Sequence, residues 1–134
     1  MQPVLVIAIS LHILAATFWA GSTFACARMT GNDRQQLFAP QLGAAAVAVL
    51  SGAYLWKALH EGSFGPTEQL LAAGAVAAIV ALVIHITVIR SALRRLRTSS
   101  GDEAGARSQL ATGYRGAAAL LAVAVLAMAA SRYA

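Results

Sequence analysis

The stretch LLAAGAVAAIVALVIHITVI, residues 70–89, decides the fold. It contains no Asp, Glu, Lys or Arg. About 20 such residues, at about 1.5 Å of rise each, cross a hydrocarbon layer about 30 Å thick. Moving outward along the chain, three more runs have this character, at 4–27, 38–59 and 114–131, the last mostly alanine. Over the whole chain of 134 residues, 59% are hydrophobic and only 11% charged, whereas soluble domains carry about 25% charged residues. Backbone polar groups must pair internally in lipid, and none of the runs alternates as a strand would. The expected fold is therefore an all-α integral membrane protein, a single domain over 1–134 built as an up-down bundle of four transmembrane helices. The first run has no Lys or Arg ahead of Arg28 and exceeds the length of a signal-peptide core, so it reads as a retained span.

The links set the expected orientation. Arg90, Arg94, Arg95, Arg97, Arg107 and Arg115 lie in or beside the third link, and Arg28 and Arg34 flank the first. The second link holds Lys57 against Glu61 and Glu68. The excess of positive charge places the first and third links in the cytoplasm of a bacterial-type inner membrane, with both termini outside. The net charge of +5 then reflects orientation and contact with anionic membrane lipid, not nucleic acid. Within the links, TGNDRQQ (30–36) reads as a polar turn and TSSGDEAGA (98–106) as a flexible linker. Pro40 is expected in the first turn of the second helix and Thr67 as the cap of the third. The third helix is expected to continue into RSALRRLR (90–97).

The polar residues inside the runs carry the functional signal. His12 and His85 are the only ionisable side chains deep within them, and such groups face a partner, not lipid. Neutral imidazole ligates haem iron, copper or zinc; an interhelical hydrogen bond or a proton relay are the other uses. Depth tests the pairing. From the helix rise, His12 and His85 are offset by about 12 Å along the membrane normal, awkward for two ligands of one upright haem. Met128 comes within about one turn of the depth of His12 and offers a His–Met pair. His12 of two protomers in a homodimer is another arrangement. Trp19, seven residues after His12, shares its face and is placed to wall a cofactor pocket or the core. Arg28 is a topology anchor or a partner for a haem propionate.

Small residues recur every fourth position at Ala44, Ala48 and Gly52, and at Ala73, Ala77 and Ala81, the latter row ending on His85. Such rows pack helices closely or leave space for a flat ligand beside an imidazole. Trp56, Tyr54 and Tyr133 are expected in an aromatic belt at the outer interface, and His60 in solvent. The one cysteine, Cys26, makes no intrachain disulfide and reads as a small packing residue. The acids Asp33, Glu61, Glu68, Asp102 and Glu103 all lie in links, and no nucleophile–base pair or phosphate-binding loop occurs. That argues against a hydrolase.

LHILAATFWAGSTFACARM, residues 11–29, resembles the first helix of the HemJ type of protoporphyrinogen oxidase and of the copper-resistance D type of membrane protein. His12, Trp19, Gly21 and Arg28 follow the same order: a leucine–histidine pair, an aromatic, a glycine, then a basic inner end. Residues 70–97 resemble a later helix of the same families, with His85 near its end. Where the HemJ type has a histidine and a lysine at the start of that helix, this chain has TEQL with Gln69. The resemblance thus implies haem b at His12 and leaves the oxidase activity open. It also implies a redox role toward a quinone, a porphyrin or a redox protein. For the copper alternative, metal transport or an accessory role, there is no methionine- or histidine-rich motif beyond His60. A non-catalytic structural membrane module, its histidines only bonding across helices, is the third reading.

Overall fold

The computed structural model describes residues 2–29, 34–60, 62, 64–98 and 103–134. Long apolar runs become long helices: α1 (Gln2–Arg28), α2 (Arg34–Leu59), α3 (Pro66–Ile84), α4 (Arg90–Arg97) and α5 (Glu103–Ala130). A π-helical turn, His85–Ile89, joins α3 to α4, so that Pro66–Arg97 is one continuous rod, as the sequence suggested for its arginine extension. This is a membrane protein with four helical segments long and apolar enough to cross a bilayer, and no strand occurs among the described residues.

Cross-helix contacts give the directions. α1 meets α2 at His12–Ala48 and again at Cys26–Gln41, so the two are antiparallel. α3 and its continuation meet α5 at Gly74–Met128 and at Ile89–Gly113, again antiparallel. α1 also packs on α5, whereas α2 and α3 barely touch. The order around the bundle is therefore α2, α1, α5, α3, open between its two outermost members. One end carries the α2–α3 link and both chain ends, with Arg132 (the His60 end); the other carries most of the arginines and is called the arginine end.

Several element ends differ from expectation. α2 begins at Arg34, so Pro40 lies inside the helix and not in its first turn; without an N–H it leaves the Gln36 carbonyl short of its partner one turn on. α5 begins at Glu103, well before 114, and so absorbs the end of the expected 98–106 linker. Charged residues hid this extension from a search for apolar runs, yet Ala106 and Leu110 are buried at the arginine end. The cap of α3 is Gly65, not Thr67: the Glu68 carboxylate accepts the Gly65 N–H at 2.8 Å, and Pro66 opens the helix. Gly62 supplies the left-handed turn of the α2–α3 link with φ 85°. Positions 30–33, 61, 63 and 99–102, including Asp33, Glu61 and Asp102, lie outside the described residues.

Candidate functional site

The gap between α2 and α3 widens into a cavity of about 480 Å³ in the half of the bundle toward the His60 end. That volume lies in the range of small-molecule sites, roughly 300–1,000 Å³. Its origin is side-chain size. Ala48 and Gly52 on α2, Ala16 on α1 and Ala75 on α3 present little bulk where larger residues would close the bundle. The polar, aromatic and sulfur-bearing side chains at its wall include His12, Trp19, Trp56, His60 and Met128.

His12 is half-buried and tied to the neighbouring helix. Its Nδ1 lies 2.9 Å from the Ala48 carbonyl and 3.1 Å from Ser51 Oγ. The carbonyl can only accept, and the Ser51 hydroxyl donates to the Val47 carbonyl at 2.6 Å. The proton therefore belongs on Nδ1, which leaves the lone pair on Nε2. No described residue bonds Nε2. The ring rests on Gly52, where a Cβ would come within 3.0 Å of Cε1. Metal-bound histidines are held in this way, the distal N–H given to a carbonyl so that tautomer and ring angle are fixed. The small-residue row that makes room beside an imidazole is thus that of α2, at His12. In the α3 row Ala77 and Ala81 are buried, and Ala81 packs in the core with Ala117 and Leu121 of α5.

Met128 reaches the cavity from α5. Its side chain covers Gly74, whose missing Cβ would lie 3.1 Å from Met128 Cγ. Trp56 and His60 form the rim, their rings 5.6 Å apart and tilted by 35°. This revises two expectations. Trp56 lines the cavity, a contact the belt expectation did not include, while Tyr54 and Tyr133 are exposed. His60 is not simply solvated: its Nδ1 is buried without a hydrogen-bond partner, and its Nε2 is 4.0 Å from Glu68.

His85 is elsewhere. It is fully buried, with Nδ1 donating to the Ala81 carbonyl of its own helix at 3.1 Å. Trp19 and Tyr114 flank it edge-on, with ring centroids at 6.0 and 5.8 Å. Trp19 has the cavity on one side and His85 on the other. The Trp19 level is seven residues along α1 from His12, so the two histidines differ by about 10 Å in height. Both Nε2 of His85 and Nε1 of Trp19 are buried without a partner. Arg28 is exposed at the arginine end, about 24 Å along α1 from His12, and lines a different hollow.

Sequence reasoning passed over a buried polar cluster near His85. Tyr114 donates to Gln41 Oε1 at 3.2 Å, and Gln41 Nε2 donates to Ser22 Oγ at 3.2 Å and to Cys26 Sγ at 3.5 Å. Cys26 is a buried core residue, as its type suggested. Gln41, an amide placed within an apolar run, is the signal in the sequence, but being uncharged it does not stand out as an ionisable group does. Ser51 was missed for the same reason.

No family model, curated protein or solved structure matches this chain. The geometry alone thus defines what the cavity can do. Among the described residues no three of His, Cys, Asp and Glu converge on a metal position. The wall offers one imidazole nitrogen with a fixed lone pair, one thioether, a second imidazole at the rim, and otherwise apolar surface. That suits a flat, apolar ligand that carries its own metal.

Proposed function

We propose that the cavity binds haem b, whose iron Nε2 of His12 would hold, with Met128 of the same cavity wall as a candidate second ligand. The observation that carries this reading is the posture of His12: its N–H given to the Ala48 carbonyl, its ring seated on Gly52, and its lone pair free at the wall of an apolar cavity. Haem held there would supply a one-electron couple at iron. The chain's own part is to fix the ligand tautomer, exclude water with alanine, tryptophan and methionine, and admit the ring edge where α2 and α3 part. The role that follows is electron transfer, or haem-linked redox chemistry of a quinone or porphyrin. It agrees with the resemblance of residues 11–29 to the HemJ and copper-resistance D types. In this reading the first and third links face the cytoplasm of a bacterial-type inner membrane, and the protein works alone or as a homodimer. His85 serves the core in the arrangement described, and Arg28 lies too far from His12 to meet a propionate of the same haem.

A copper role is the second reading, favoured by one observation: His12, His60 and Met128 share the cavity wall, and imidazole and thioether suit copper. The visible spectrum of protein purified after expression with ample haem separates the readings. A Soret band that disappears in His12→Ala supports haem. A colourless protein rejects it, and stoichiometric copper in that protein supports the alternative. Neither cofactor, with histidine variants behaving as the parent, leaves a structural module.

A further inference from the structure

A second hollow, of about 670 Å³, lies at the arginine end along the seam of α1 and α5. Ala111, Ala118 and Ala119 of α5 and Phe24 of α1 line it, and Arg28 and Arg115 reach it from the two helices. Both arginines are exposed, and neither has a hydrogen bond or ion pair among the described residues. Two other arginines of this end are engaged: Arg107 pairs with Glu103 at 3.7 Å, and Arg95 donates to Gln109. Among the described residues no acidic side chain lines the hollow.

The placement is selective. Arg28 ends α1, whereas Arg115 follows Tyr114 on α5 and is itself followed by glycine, alanine and leucine, with no other charged residue from there to Ala130. A guanidinium at the margin of hydrocarbon turns toward the headgroup layer and takes an anion there. Two guanidiniums without a carboxylate suit a phosphate, which each can hold in a fork. Beside them, Phe24, Ala118 and Ala119 offer a trough of hydrocarbon character. A soluble phosphate would use the arginines and leave the trough bare; a lipid uses both. We infer that Arg28 and Arg115 with this trough form a binding site for one phospholipid of net negative headgroup, phosphate on the arginines and an acyl chain along Phe24, Ala118 and Ala119. The site depends on the helices crossing a bilayer and is independent of the haem reading.

The test is native mass spectrometry of the full chain in detergent, titrated with phosphatidylglycerol, with phosphatidylcholine of the same acyl chains, and with inorganic phosphate. One phosphatidylglycerol should be retained in preference to phosphatidylcholine, and inorganic phosphate should not displace it. Each arginine near an anionic headgroup contributes about fivefold, so Arg28→Ala/Arg115→Ala should bind roughly 25-fold more weakly. Arg94→Ala/Arg97→Ala, which removes equal charge from the same end, should bind as the parent does. Ala119→Trp fills the trough with both arginines kept and should also lose the lipid. Equal retention of the two lipids, equal loss in the two arginine pairs, displacement by inorganic phosphate, or undiminished binding in Ala119→Trp would each overturn the site.

Discussion

His12 and His85 are the same side chain in the same kind of helix, and each gives Nδ1 to a backbone carbonyl, at 2.9 Å and 3.1 Å. The carbonyls differ. That of His12 belongs to α2, so the bond crosses between helices and turns the ring toward the gap. That of His85 belongs to the preceding turn of its own rod, which folds the ring back between Trp19 and Tyr114. One nitrogen is thereby presented and the other entombed. A histidine in a membrane helix is thus read by where its second nitrogen points, not by its depth.

The comparison can be broken by substitution. The largest effect is expected for His12→Ala, which should abolish the Soret band of the purified protein; equal loss in His85→Phe would erase the distinction. Gly52→Leu should come next. Its Cβ alone would press on the imidazole at 3.0 Å, and displacing a ligand's support costs about 10–100-fold in metal affinity. Gly43→Leu on the same helix meets nothing within 4 Å and should retain full haem content, which separates crowding of His12 from a general effect on α2. Met128→Leu should keep the haem but change the spectrum of the reduced protein and its midpoint potential if the thioether is the second ligand; an unchanged spectrum assigns that position to another group. His85→Phe should leave the spectrum intact. Its effect on unfolding should stay within about 1 kcal/mol, because one hydrogen bond is lost while one orphaned buried nitrogen is removed. The smallest change is expected for Ser51→Ala, where Ala48 still holds Nδ1: cofactor affinity measured by haem titration should fall by less than about tenfold.

What could be read from the chain follows from which properties are local. Run length and helix rise are local, so four helices were legible. So was the height difference of the histidines, about 12 Å by residue count and about 10 Å by the contact of Trp19 with His85. Facing is not local. The rows Ala44–Ala48–Gly52 and Ala73–Ala77–Ala81 look alike in sequence, and only the fold shows that Ala77 and Ala81 of the second row are buried, Ala81 against Ala117 and Leu121 of α5. Trp56 and His60 sit one turn apart near a helix end, where a modest rotation decides between interface and cavity. The early starts of α2 and α5 escaped because charged residues end an apolar run without ending a helix. The pairing of Gln41 with Tyr114 joins residues 73 apart in the chain, and no spacing rule reaches that far.

The parting of α2 and α3 has a consequence for how the cavity fills. With these helices in a bilayer, that edge opens onto acyl chains, not water. A ligand then arrives by lateral diffusion after dissolving in the membrane, and its working concentration is moles per volume of lipid. Binding measured in micelles should accordingly track the ratio of ligand to detergent. Diluting the buffer at a fixed ratio should change little, whereas adding empty micelles should look like competition by an inhibitor that never touches the protein.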